Sequence, residues 1–253
     1  MTDIRTLAGL HSVRSALRHA PERILELWVD AARHDQRLQE ILRLARAAGV
    51  SAQPVARKTL DKLAGDARHQ GVVARRRGGG AHDERFLDDL LANLDAAPFL
   101  LILDGVQDPH NLGACLRSAD AVGVHAVIAP KDRSVGLTHA ASKVASGAAE
   151  YVPFVRVTNL ARTLRRLRDE QGVWLVGASG DADKSLYQLD LKGPLGIVMG
   201  AEGEGMRRLT AEACDFLASL PMRGSVESLN VSVATGVCLY EALRQREVGL
   251  GPV

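Results

Sequence analysis

The chain has 253 residues, 46% of them hydrophobic and 25% charged, with a formal net charge of +2, which is enough apolar material for one large or two modest domains. No apolar run approaches the roughly 20 residues that span a bilayer, MTDIRTLAGLHSVRS lacks the apolar core of a signal peptide, and Cys115, Cys214 and Cys238 are too few and too scattered for a disulfide framework, which fits a reducing cytoplasm. With no CxxC and no HExxH, a zinc site has no basis either.

In chain order, the first third alternates. A helical stretch from Leu10 to Arg18 precedes the strand ILELWVD at 24–30, and DQRLQEILRLARAAG predicts a helix with Leu38, Ile41, Leu42 and Ala45 on one face and Gly49 at its end. VSAQPV reads as a short strand that Pro54 confines to a sheet edge. A short helix from Lys58 to Leu63 and the strand GVVARR complete a compact α/β module over residues 1–75. Residues 76–98, with three arginines and the triple glycine 78–80 ahead of an acidic helix-like segment, have the composition of a flexible linker.

Residues 99–253 resume the alternation with strongly apolar strands: FLLILD, HAVIAP, EYVPFVRV, WLVGAS, LGIVMG and FLASLPM. Helices are expected at Leu112–Val122, Thr138–Gly147, Asn159–Glu170, Met206–Ala213 and about Asn230 to Arg246. Continuous apolar strands between helices predict a mainly parallel α/β sheet covered on both faces. Such sheets bind ligands at the carboxyl ends of their strands. Here those ends carry Asp104-Gly105, Gly177-Ala178-Ser179, Gly200-Ala201-Glu202-Gly203 and Pro221-Met222.

The net charge is unevenly divided. Residues 1–75 hold 13 Lys and Arg against 8 Asp and Glu, residues 76–98 hold 3 against 5, and residues 99–253 hold 16 against 17. A basic module beside a near-neutral one suits a nucleic-acid handle joined to a chemical unit; an Arg-rich solvated helix face accounts for the charge equally well.

Three stretches of the second part stand out. In DPHNLGACLRSADAVG, Asn111 sits near a helix start, Gly113 permits close backbone packing, and Arg117 follows a little under two turns later. The pair is either an N-cap and a solvated arginine or two groups aimed at one site. In LGIVMGAEGEGM, glycines surround Glu202 and Glu204 after a buried strand. It is neither GxGxxG in its usual place nor a P-loop, and its acids suit a neutral or cationic cofactor better than a phosphate. In LPMRGSVESLNVSVATGVCLYEAL, a helix opens among Ser228, Leu229, Asn230 and Ser232, which is ordinary capping or a set of donors at the ligand end of the sheet.

In this order and spacing, NLGACLRSADAVG, IVMGAEGEGM and LPMRGSVESLNVSVATGVCLYEA resemble the three signature motifs of the SpoU (TrmH-type) RNA ribose 2′-O-methyltransferases of the SPOUT superfamily. GLHSVRSAL and HQGVVARRR resemble that family's small substrate-binding domain, and the likeness within the family is to members that methylate a guanosine ribose in the peptidyl-transferase region of 23S ribosomal RNA. The resemblance implies a C-terminal domain tied in a trefoil knot, an exception to the rule that chains do not thread loops. It also implies S-adenosylmethionine as cofactor, a homodimer in which each site borrows from its neighbour, a cytoplasmic location, and no metal or membrane. By position it makes Arg117 the essential catalytic residue, with Asn111, Glu202 and Asn230 around it, and draws cofactor contacts from Gly177, Ala178, Gly200, Leu220 and Leu229. A guanidinium with pKa above about 12 does not act as a literal base, so the expected role of Arg117 is to grip the target phosphate or developing alkoxide. Cys115 and Cys238 are expected in the core rather than as nucleophiles. Transfer RNA or another ribosomal site is the nearest alternative substrate. A non-catalytic RNA-binding assembly protein is the alternative of a different class, disfavoured because Asn111, Arg117, Glu202 and Asn230 are all in place. A Rossmann-type nucleotide enzyme fails on its missing fingerprint.

Overall fold

The computed structural model describes residues 4–65, 67–77 and 81–248, and the chain divides into two compact units, Met1–Gly80 and Ala81–Val253. The first unit runs β1 (Ile4–Ala8), α1 (Leu10–His19), β2 (Ile24–Asp30), α2 (Gln36–Ala47), β3 (Ala52–Val55), α3 (Arg57–Ala64) and β4 (Val72–Arg77). Its sheet has the order β1-β4-β2-β3, with β4 antiparallel to both neighbours and β3 parallel to β2. Pro54 lies in β3, an edge strand as its missing N–H requires. One sheet face buries Leu27, Val29, Val72 and Ala74 under Val13 and Leu17 of α1 and Leu38 and Ile41 of α2; the other packs Trp28 and Val73 on Leu60 of α3. Asp35 starts α2 by accepting from the Arg37 and Leu38 amides at 3.0 and 3.1 Å. Strand β1 is a finding beyond the sequence pattern, since it has no alternating apolar face and exists through its ladder with β4.

The division between units falls after residue 80, so the expected linker over 76–98 is corrected in extent. Arg76 and Arg77 finish β4, the triple glycine 78–80 lies outside the described residues, and residues from 81 onward belong to the second unit. There α4 (Glu84–Ala92) starts on an Asp83 cap, 3.0 Å from the Phe86 amide. It buries Leu87 and Leu91 against the main sheet with Phe86 and Leu90 alongside. Four apolar residues on one helical face bind this segment to the sheet more strongly than its acidic composition frees it.

The second unit continues with β5 (Phe99–Asp104), α5 (Pro109–Ala121), β6 (Ala126–Pro130), α6 (His139–Val144), β7 (Phe154–Val157), α7 (Leu160–Asp169), β8 (Trp174–Ala178), β9 (Leu195–Gly200), α8 (Arg208–Ala211), β10 (Phe216–Ala218) and α9 (Val231–Glu247). The six strands are all parallel, in the order β10-β8-β9-β5-β6-β7. One face carries α5, α6 and α9 over a core that includes Leu101, Leu103, Leu116, Val127 and Leu239; the other carries α4 and α7. The chain winds outward from β5 through β6 and β7, then returns to insert β9 beside β5, and this reversal is where a parallel sheet opens a crevice. Asp104 and Gly200 face each other across it as the last partners of the β5–β9 ladder. Strands β7 and β10 are shorter than expected: a 3-10 turn at Ala148–Glu150 and Pro153 precede β7, and the chain leaves the sheet after Ala218, ahead of Pro221.

Candidate active site

The carboxyl ends of β5 and β9 and the starts of α5 and α9 meet at one place. Gly200 ends β9 against a tight turn in which Ala201 and Gly205 exchange backbone hydrogen bonds, both 3.0 Å. A Cβ on Gly200 would lie 2.2 Å from the Gly205 carbonyl carbon, so only glycine fits. The turn is held from below by Asp104, whose side chain is wholly buried and takes the Arg207 backbone N–H at 2.9 Å, Nε at 2.7 Å and Nη2 at 2.5 Å. Three charge-assisted bonds to one carboxylate fix where the turn leaves the strand.

The turn presents Glu202. Its Oε1 accepts from Asn111 Nδ2 at 3.2 Å, from Asn230 Nδ2 at 2.5 Å and from the Val231 amide at 3.4 Å. Asn230 Nδ2 also donates to Asn111 Oδ1 at 3.0 Å. Asn230 is the N-cap of α9, its Oδ1 accepting from the Ser232 N–H and Oγ–H at 2.9 and 2.6 Å. The carboxylate therefore sits at the open amides of a helix N-terminus, where its charge is favoured. Residues 91 and 119 positions apart are joined in one cluster.

Asn111 is not the N-cap of α5. Asp108 is, accepting from the His110 amide at 2.8 Å, and Asn111, 8% exposed, points inward to Glu202. Gly113 lets α5 approach α6 so closely that a Cβ there would meet the Ala141 carbonyl oxygen at 2.5 Å. Arg117 stands apart. Six helical residues turn it about 120° from Asn111 and carry it about 9 Å along the axis. It is exposed on α5, and its guanidinium makes no hydrogen bond or ion pair among the described residues. Within one chain, the fold gathers Asn111, Glu202 and Asn230 and leaves Arg117 free to reach something else.

The residues expected around a cofactor lie along the same ends. Gly177 and Ala178 pair with Leu217 and Ala218, and a Cβ on Gly177 would strike the Met206 Cε at 2.7 Å. Leu220 packs on the core, while Leu229 is 38% exposed. Among the described residues, no backbone–backbone hydrogen bond involves any N–H or C=O from Leu220 to Leu229. That loop is a run of available donors and acceptors. Asp104 and Arg207 are functional supports that sequence reading missed as a pair. The signal was present in FLLILD, where a buried apolar strand ends in a carboxylate.

The cysteines do not take part. Burial pushes the Cys115 thiol up to about 11, with the Thr235 hydrogen bond opposing and the Glu202 charge adding to the rise. Burial likewise raises Cys238 to about 12, and Cys214 reaches about 12 through burial and the charges of Asp215 and Asp104. All three are neutral thiols near pH 7 and poor nucleophiles. The native protein is expected to show no fast reaction with a thiol reagent at pH 7.5 and three thiols once denatured; a rapidly modified thiol in the native state would contradict this.

The SpoU rRNA methylase family model matches residues 98–240, and the model for RNA 2′-O ribose methyltransferase substrate binding matches residues 6–77. The chain is 61% identical over 238 residues to a Shewanella oneidensis protein named 23S rRNA (guanosine-2′-O-)-methyltransferase RlmB, covering 94% of this chain and 96% of that one. It is 58% identical to the Escherichia coli protein of the same name over 94% and 97% of the two chains. Among solved structures, the SpoU methyltransferase AviRb from Streptomyces viridochromogenes, crystallised with the cofactor AdoMet, superposes with a TM-score of 0.76 at 24% identity over 97% of this chain and 92% of that one.

Proposed function

The chain belongs to the SpoU rRNA methylase family, and from that premise we propose that it methylates the ribose 2′-hydroxyl of a guanosine in 23S ribosomal RNA, with S-adenosylmethionine as donor. The observation that carries the reading is the cluster of Asn111, Glu202 and Asn230, which ties all three motifs together at the reversal point of a parallel sheet. The site fits the donor. The free backbone groups of Leu220–Leu229 suit the polar edges of a nucleoside, the Gly177-Ala178 and Gly200 strand ends admit close approach, and the acids of the turn suit a cation. When bound, the sulfonium supplies a methyl carbon already activated for in-line displacement.

What remains for the protein is positioning, which contributes on the order of 7–11 kcal/mol in well-oriented reactions, and handling of the hydroxyl proton. Arg117 is the residue for that work. Its guanidinium fork grips the phosphate beside the target ribose and favours the developing alkoxide, and a phosphate oxygen receives the proton. Asn111, Glu202 and Asn230 hold the turn and the α9 cap in register around it. A homodimer and the trefoil knot belong to the same reading. Val233 and Tyr240, 53% and 54% exposed and two turns apart on α9, offer an apolar stripe to a second copy, beside which the free Arg117 acts. A cytoplasmic location belongs to it too, with all three cysteines free.

The first unit takes the RNA. Arg37, Arg43, Arg46, Lys58 and Lys62 are exposed on its helices, where they suit phosphate contacts of salt-dependent strength. A fragment 81–253 is expected to bind S-adenosylmethionine as the whole chain does and to lose transfer to 23S ribosomal RNA. Full retention of RNA methylation would refute this division of labour, and preferential methylation of transfer RNA by the whole chain would refute the substrate.

A further inference from the structure

The loop between β6 and α6 is fastened more firmly than a connector needs. Arg156 of β7 donates Nη2 to the carbonyls of Pro130 and Ser134, both at 3.2 Å, and to that of Lys131. The Lys131 amide bonds the Val157 carbonyl at 2.8 Å, and the Val135 amide bonds the Val106 carbonyl at 2.9 Å. A Cβ on Gly136 would sit 3.2 Å from Arg156 Nη1, so the guanidinium is packed into the loop. Inside this frame Arg133 is held at φ +57, a left-handed conformation that a residue with a Cβ adopts at a cost and keeps only where its surroundings impose it.

The loop lies at the reacting end of the sheet. A Cβ on Gly105 would be 3.4 Å from the Ala201 Cβ and 3.8 Å from the Arg133 carbonyl oxygen, which puts Arg133 beside the turn that carries Glu202. Lys131, Asp132 and Arg133 are exposed, and the Arg133 guanidinium has no partner among the described residues. Lys131 Nζ rests 3.3 Å from Thr158 Oγ1.

We propose that this loop is a phosphate contact for the RNA on the methyltransferase unit, with Arg133 as the contacting group and Arg156 as the positioning residue that holds it; the inference rests on the RNA-methylation reading above. A strand that delivers one ribose to the crevice must run its backbone over the neighbouring strand ends. A guanidinium fork fixed there binds phosphate oxygens and sets register without reading sequence. The near-neutral charge of this part of the chain conceals that local cation.

Arg133→Gly tests it, because glycine accepts the left-handed backbone while removing the charge. In the full-length protein, with an unmethylated 23S ribosomal RNA transcript, Arg133→Gly is expected to melt no lower than the parent and to bind S-adenosylmethionine as tightly. Its KM for RNA is expected to rise about tenfold, and the slope of log affinity against log salt to fall by about 0.7, one phosphate's worth. Arg133→Lys recovers most of the slope. Arg156→Ala raises the KM for RNA as well, and adding Arg133→Gly to it costs little more, the non-additivity expected if Arg156 acts through Arg133. An active parent whose Arg133→Gly variant keeps its KM and salt slope overturns the inference. A parent that transfers no methyl to RNA at any salt overturns the functional reading, and this inference with it.

Discussion

Arg117→Ala is expected to lower single-turnover methyl transfer by about 10²–10³-fold, the loss seen when one preorganised group facing developing charge is removed, while the protein stays folded. The structure separates the two effects. Arg117 is exposed and supports no other described side chain, so its truncation leaves stability within about 0.5 kcal/mol and the Asn111–Glu202–Asn230 cluster intact. Affinity for S-adenosylmethionine should therefore be unchanged. Arg117→Lys keeps the charge but loses the bidentate fork, and is expected to fall between the two. A rate within tenfold of the parent for Arg117→Ala, with RNA saturating, would remove Arg117 from the mechanism.

The largest expected effect on stability comes from Asp104→Ala. The carboxylate is wholly buried at the end of β5 and satisfies three donors of Arg207. Deleting it strands the Arg207 amide and breaks a charge pair. A fully buried pair broken from one side costs about 3–5 kcal/mol; the Arg207 side chain is 43% exposed and can rehydrate, so the lower end, about 3 kcal/mol, is expected. For a chain of this size that is a drop in Tm of about 6–12 °C. The consequence reaches the site, because Arg207 anchors the turn that carries Glu202; affinity for S-adenosylmethionine should fall as well. Arg207→Ala should cost a comparable amount, since it leaves the buried Asp104 carboxylate with the residue-207 amide in place of three donors. A Tm change below about 2 °C for Asp104→Ala would show that the turn is held by other means.

Much of the fold is written in local patterns. FLLIL and LGIVMG are apolar throughout because both faces of their strands are covered, and Pro54 confines its strand to an edge by lacking an N–H. What escaped reading depends on distant partners. Strand β1 has no pattern of its own and is made by β4, some 70 residues on. The segment of α4 reads as helix-like, but its acidic composition hides its docking on the sheet, although Phe86, Leu87, Leu90 and Leu91 mark one face. The site divides in the same way. Glycine-rich strand ends announce a ligand, but nothing local says that Asn111 turns inward to Glu202 while Arg117 does not, nor that Asp104 waits for Arg207 across 103 positions. The motifs supplied the membership of the cluster; only the folded chain supplies its geometry.

The most direct measurement follows from what a 2′-O-methyl group does to RNA. It removes the nucleophile of alkaline cleavage, so a methylated ribose leaves a gap in an alkaline hydrolysis ladder. Unmethylated 23S ribosomal RNA treated with the full-length protein and S-adenosylmethionine should show one gap, 3′ to a single guanosine, and no gap with Arg117→Ala. An unchanged ladder from the folded, cofactor-binding protein, or a gap acquired by transfer RNA in its place, would contradict the account.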